Sequence, residues 1–278
     1  MTCGFPAAAD RGGMTVADVR VGIGGWTYAP WRGTFYPDGL PQKRELEFAS
    51  SAVTAIEINA TYHRLQKPAS FAQWAATAPE GFVFAVKASR YCTNRKLLAE
   101  AGEAVATFLD QGIVELGDKL GPILWQFMAT KTFDPEDFGA FLKLLPDRHA
   151  GLPLRHAIQV RHESFRVPEF VALARAHGVA IVYADSAEYP AIADVSGDFV
   201  YVRLENAQEG HPQGYSQAEL DRWAEAARCW SEGGRPEGLP YVTDDQPPVV
   251  PRETYIFMIN GAKVRAPAAA TALLQRLR

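Results

Sequence analysis

Several apolar runs in this sequence end on residues that can move a proton or hold a charge. Glu57 and Asn59 close "VTAIEIN", Lys87 closes "FVFAVK", and Gln126 sits near the end of "PILWQF". Gln159 and Arg161 fall in "HAIQVR", Asp185 closes "VAIVYAD", and Arg203 lies near the end of "FVYVRL", with Glu205 just beyond it. These types suit acid/base work on a charged molecule. A carboxylate such as Glu57 can act as a general acid or base when burial raises its pKa. Guanidinium groups such as Arg161 and Arg203 can grip a carboxylate or phosphate through two parallel hydrogen bonds.

Each residue also has a structural reading. Buried charges need partners even where no chemistry occurs, so Glu57 can be a partner of Lys87 or Arg203, and the arginines can form ion bridges to Asp185 and Glu57. Asn59 reads as a residue that orients Glu57 or a ligand. Lys87 has three readings: electrostatic support, recognition of an anion, or a Schiff-base nucleophile, which needs a neutral amine favoured by desolvation or a nearby cation. Trp26, Tyr28, Trp31 and Tyr62 can stack on a sugar or base, or plug the end of the fold. His162 has the opposite strand parity to Arg161 and points away unless the chain turns there. The run "KASRYCTNRK" gathers basic residues around Tyr91, either to receive phosphate or as a solvated loop.

The elements that must position these residues recur along the chain. Strand-like runs occupy 19–25, 53–59, 82–87, 122–127, 156–161, 179–185, 199–204 and 255–260, and helical spacing occupies 41–51, 69–78, 97–117, 134–145, 167–177, 216–231 and 267–277. This alternation predicts a parallel α/β sheet, closed as a (β/α)8 barrel or open and doubly wound. No G-x-G-x-x-G joins the first strand to the first helix, which weakens the dinucleotide-binding alternative. Pro168 suits a helix start and Gly178 its end. The segment 186–198 is too short and irregular for a helix, so the sixth crossover is expected to be degenerate, and the Pro- and Gly-rich 233–253 to be a long loop before the last strand. Alternation of side chains places Glu57 with Asn59, Ala85 with Lys87, Leu124 with Gln126, Gln159 with Arg161, Tyr183 with Asp185 and Tyr201 with Arg203 on one face. Polar strand ends sharing a face are what a barrel needs for a site at its C-terminal mouth.

Composition narrows the class. The chain has 278 residues, 28 Lys and Arg against 32 Asp and Glu, and a formal net charge of -4. That balance argues against broad binding to nucleic acid or an anionic membrane. No run is long enough to span a bilayer. Cys3, Cys92 and Cys229 are too scattered to suggest a disulfide framework or a zinc site, and a reducing cytoplasm is the simplest compartment. Residues 1–17 read as a flexible tail preceding one domain over 18–278.

The motifs "GIGGWTYAPWRGTFYPDGLPQ", "EINATYHRL", "FAVKASRY", "LGDKLGPILWQF", "VRHESF", "DFVYVRL" and "FMINGAKVRAPAAATALL" occur in this order from about Arg20 to Leu277. In these the chain resembles the YecE-like family, domain of unknown function 72. The resemblance implies a TIM barrel and highlights Trp26, Tyr28, Trp31, Glu57, Asn59, Tyr62, Lys87, Gln126, Arg161, His162, Asp185 and Arg203, without supplying a reaction. Two departures stand out: the family's usual "EVRH" is "QVRH" here, placing Gln159 where a glutamate is usual, and "YVRLHG" is "YVRLEN", placing Glu205 where a histidine is usual.

Together these readings predict a cytoplasmic, metal-independent acid/base enzyme that uses no cofactor. Its substrate is expected to be small and polar or anionic, carrying phosphate, carboxylate or sugar. Glu57 would transfer the proton, Lys87 and Arg203 would stabilise negative charge, and Asn59, Gln126, Arg161 and Asp185 would orient the ligand, with Trp26, Tyr28, Tyr62, Gln159, His162 and Glu205 also in contact. Of six histidines only His63 and His162 fall near upper strand ends, so a multinuclear metal site is not expected, and Glu57 with Asp185 would hold at most one weakly bound ion. A non-catalytic ligand-binding barrel is the alternative. A nucleic-acid processing role is possible but not favoured, and the sequence does not set the oligomeric state.

Overall fold

Eight parallel strands close on themselves, β1 (Val19–Gly24), β2 (Ala55–Ile58), β3 (Val83–Lys87), β4 (Leu120–Gln126), β5 (His156–Gln159), β6 (Ala180–Asp185), β7 (Phe199–Leu204) and β8 (Glu253–Met258), each bonded to the next and β8 to β1. The computed structural model describes Cys3, Gly4 and residues 18–278. The connections carry α1 (Glu45–Ala52), α2 (Pro68–Thr77), α3 (Gly102–Leu109), α4 (Pro135–Leu142), α5 (Pro168–Ala176), α6 (Gln217–Ser231) and α7 (Ala266–Leu277). The expected (β/α)8 barrel is therefore present.

Local chemistry accounts for the helix ends. Pro168 begins α5, and Gly178 leaves it with φ +61°, a conformation that costs glycine little. Ser216 and Glu219 form a reciprocal capping box on α6. The single helix expected over 97–117 is instead broken. Gly112 takes φ +107° against Pro68, where a Cβ would lie 2.7 Å from the proline Cα, so α3 ends at Leu109 and a run of tight turns follows.

The sixth crossover has no helix among residues 186–198. The loop before β8 is tied to it instead: the Asp194 carboxylate accepts hydrogen bonds from Val242 N at 2.7 Å and Thr243 N at 3.2 Å.

The barrel interior is layered. At the N-terminal end Glu253 accepts hydrogen bonds from Arg20 at 3.2 Å and Arg155 at 2.8 Å, closing the floor with charge. Above it lies an apolar layer that includes Ala85, Leu124, Ala157, Val182, Tyr201 and Phe257. Gly22 makes room for that layer: a Cβ there would stand 2.1 Å from Ala55 O and 3.1 Å from the Phe257 ring. Outside the barrel, Trp125 on β4 meets Phe108 of α3 and Phe141 of α4 edge to face. Full burial of an aromatic of this size contributes roughly 1.5–3 kcal/mol.

Two expectations about the termini and cysteines change. Cys3 and Cys229, separated by 226 residues, are joined in a disulfide, and Cys3–Gly4 pairs as a short strand with Arg235–Pro236, a few residues beyond α6. Spacing along the chain could not reveal a pair that only the fold brings together. With that bond in place, the cysteines no longer argue for a reducing compartment. The rest of the expected tail over residues 1–17 lies outside the described residues. Among the described residues, no helix is long and apolar enough to cross a membrane.

Gly22→Ala is expected to lower the unfolding free energy by about 1–3 kcal/mol through overpacking, or to prevent folding. A denaturation midpoint unchanged from the parent protein would contradict the close approach of β1 to β2.

Candidate functional site

Glu57 is 0% exposed and Arg203 2%, and the two face each other across the upper barrel. Arg203 Nε donates to Glu57 Oε2 and Nη2 to Oε1, both at 3.1 Å, while Tyr201 Oη donates to Oε2 at 2.7 Å. The third guanidinium nitrogen, Nη1, donates to Gln159 Oε1 at 2.6 Å and Glu205 Oε1 at 2.8 Å. Gln126 Nε2 donates to Gln159 Oε1 at 2.7 Å, and Gln159 Nε2 to Glu205 Oε1 at 3.3 Å. This is one connected network, supplied by β2, β4, β5, β7 and the residue just after β7.

The network corrects the expected role of Glu57. Burial pushes its pKa up, but Arg203, Lys87 and the Tyr201 hydrogen bond outweigh that and hold the carboxyl below its ordinary value. Both oxygens are engaged, so Glu57 is a fixed anion and a poor proton carrier. Arg203 is pushed down by burial, yet its carboxylate partners leave it above the ordinary guanidinium value.

Lys87 behaves differently. It is 9% exposed, and among the described residues its Nζ forms no ion pair or hydrogen bond; it lies 4.3 Å from the centroid of the Tyr62 ring. Burial, then the positive field of Arg203 and Arg161, pulls its pKa down to about 7 against the opposing pull of Glu57 and Glu205. Arg161 is half-buried, stacks 4.2 Å from the Tyr189 ring and leaves Nε without a partner. Burial and Arg203 push its pKa below the ordinary value.

A third cation, Lys263, was not singled out from the sequence. It follows β8, lies 4.7 Å from the Tyr28 ring, and has its pKa lowered by burial while the charge of Glu57 opposes the shift. Its place within the motif "FMINGAKVRAP" was the available signal, although no strand parity applies to a loop. Among the described residues Arg161 and Lys263, like Lys87, form no salt bridge.

Other expected residues fall elsewhere. Asp185 is on the outer face of β6, because Val182 is the inward residue of that strand and Tyr183 packs outward between Trp223 and Trp230. Burial raises its pKa, opposed by a hydrogen bond from Asn206 and by Arg222 of α6. Asp185 and Glu57 thus lie on opposite sides of the barrel wall and cannot share an ion. Trp26 also points outward, meeting Trp74 of α2 and Phe84 edge to face. His162 caps a short turn, its Nδ1 accepting from Ser164 N at 3.2 Å. Asn59 donates to the Glu57 main-chain oxygen at 3.2 Å rather than to its carboxylate. Tyr62 and Tyr28 remain at the mouth beside Lys87 and Lys263. Among the described residues, no three His, Cys, Asp or Glu side chains gather in a way that could hold a metal ion.

Comparison with known proteins follows this geometry. The profile of the family described as "Protein of unknown function DUF72" matches residues 20–278. No curated protein sequence matches the chain. A DUF72 family protein from Thermotoga maritima superimposes with a TM-score of 0.70 at 22% identity, covering 93% of this chain and 98% of that one. One from Enterococcus faecalis gives 0.67 at 16% identity, covering 94% and 95%. SacUVDE gives 0.50 at 10% identity, covering 93% and 99%. At these identities the structural likenesses establish the fold.

Glu57→Gln is expected to cost about 3–5 kcal/mol of stability, because it leaves the Arg203 charge buried with less compensation. The wild-type contribution of Glu57 is present above the pKa of an unfolded glutamate and is lost as pH falls through its lower folded value. Urea unfolding across acid pH checks both; a variant as stable as the parent would contradict the arrangement.

Proposed function

The chain belongs to the DUF72 family of proteins of unknown function, and we propose that it binds a small anionic molecule at the C-terminal mouth of the barrel, with Lys87 as the group that exchanges a proton with it. The observation that carries this reading is the division of charges at the mouth. Arg203 is compensated by Glu57 and Glu205 within hydrogen-bonding distance, whereas Lys87, Arg161 and Lys263 have no carboxylate partner among the described residues. Partly buried cations without counter-ions favour an anion that supplies the missing charge.

Lys87 suits proton transfer because both of its protonation states are accessible near neutrality, as a general acid or base requires. Glu57 and Arg203 hold the floor beneath it. Arg161 offers a planar fork for carboxylate or phosphate, and Tyr62 and Tyr28 offer apolar faces beside the charges. A ligand there would meet charge below and aromatic carbon at its sides.

Binding of sulfate, whose charge is constant near neutrality, is the test. Affinity is expected to fall as pH rises through about 7, where Lys87 loses its proton. Lys87→Met should weaken binding and flatten that dependence, and Arg161→Gln should weaken it by roughly tenfold or more, the scale of a lost charged hydrogen bond. Calorimetry that finds no binding, or binding indifferent to both substitutions and to pH, would sink the proposal.

A further inference from the structure

The floor of the mouth is filled by groups that satisfy one another, so the reactive atom must come from what that network leaves out. Lys87 Nζ is held at the inner end of the mouth against the Tyr62 ring, with no hydrogen bond or ion pair among the described residues to occupy its lone pair or fix its proton. A buried lysine flanked by cations is the arrangement that yields a nucleophilic amine at neutral pH. Arg161, whose Nε lacks a partner and whose guanidinium lies 4.2 Å from the Tyr189 ring, acts electrostatically on Lys87, so an amine and a carboxylate-binding fork face the same mouth. We infer that Lys87 forms an imine with a small carbonyl-bearing anion, of the 2-oxo acid class, whose carboxylate is held by Arg161. The inference rests on the anion-binding reading above and adds to it the substrate's carbonyl group and a covalent step.

The step balances without any further reactant. Lys87 sheds one proton from its ammonium form, and the neutral nitrogen attacks the carbonyl carbon as the C=O π bond breaks onto oxygen. A proton moves from nitrogen to that oxygen, giving a carbinolamine. The hydroxyl then accepts the proton first shed, the C–O bond breaks, water leaves, and the nitrogen lone pair forms the C=N bond of a protonated imine. Glu205 suits the carrying of the shed proton, since Oε1 is taken by Arg203 and Gln159 while Oε2 has no partner among the described residues. Its charge is also felt at Lys87. Glu57, with both oxygens engaged, cannot take that part.

The lowered pKa of Lys87 agrees with this role, because at about 7 a large fraction of the amine is neutral near physiological pH. An imine also replaces a poorly compensated ammonium by a delocalised cation next to a bound carboxylate.

Trapping with borohydride tests the inference on the intact protein. Incubation with pyruvate and sodium borohydride near neutral pH, followed by intact-mass and peptide mass spectrometry, should show one added group equal in mass to pyruvic acid less one oxygen, located on Lys87. Lys87→Arg, which keeps the charge and whose folding is checked by its melting temperature, should lose the adduct. Absence of the adduct, or its spread over other lysines including Lys263, would overturn the imine. If pyruvate still raised the melting temperature in that case, the anion-binding reading would stand and only the covalent step would fall. If neither pyruvate nor sulfate stabilised the protein, the reading beneath the inference would fall with it.

Discussion

The upper half of this barrel is organised around one buried ion pair, the Glu57 carboxylate held at both oxygens by the Arg203 guanidinium. Two charges without solvent are costly unless each is matched and every remaining donor and acceptor is bonded. That requirement explains the neighbours. Tyr201 gives Glu57 an additional donor, and Gln159 and Glu205 receive the outer nitrogen of Arg203. Because those residues stand on different strands, the pair also fixes how β2 faces β5 and β7 across the interior.

Once the pair is satisfied, the positive groups outside it acquire their character. Lys87 is buried beside Arg203 without a carboxylate of its own, which is why its pKa falls while Arg203 keeps its proton. Arg161 and Lys263 complete a rim of uncompensated charge. The two departures from the family pattern fit the same logic. Gln159 gives up a negative charge beside Arg203 and Glu205 brings one back, and both side chains contact the same guanidinium nitrogen. Arg203 Nη1 thus meets an amide at the end of β5 and a carboxylate just after β7.

Much of this was legible in the sequence. Alternating parity placed Glu57, Lys87, Gln126, Gln159 and Arg203 together because their strands have one polar and one apolar face near the C-terminal end. β6 lacks that contrast: Ala180, Val182 and Ala184 are as apolar as Ile181 and Tyr183, so the pattern leaves its parity unset and Asp185 lies on the face opposite to the expected one. The proton-carrying role expected of Glu57 fails for a different reason. Alternation along a strand says that a carboxylate faces inward; that both its oxygens are bonded depends on Tyr201 and Arg203 of another strand. Lys263, on a loop, and the Cys3–Cys229 pair, joined across nearly the whole chain, depend on tertiary closure that no local pattern encodes.

The account depends most directly on Lys87 being a buried amine with little compensation beside a self-satisfied ion pair. Titration of lysine side chains in protein carrying 13C-labelled lysine, with Lys87 assigned by its loss in Lys87→Arg, measures that property. The structure predicts a midpoint of about 7 for this one resonance. A midpoint at the ordinary lysine value of roughly 10.4 would contradict the account.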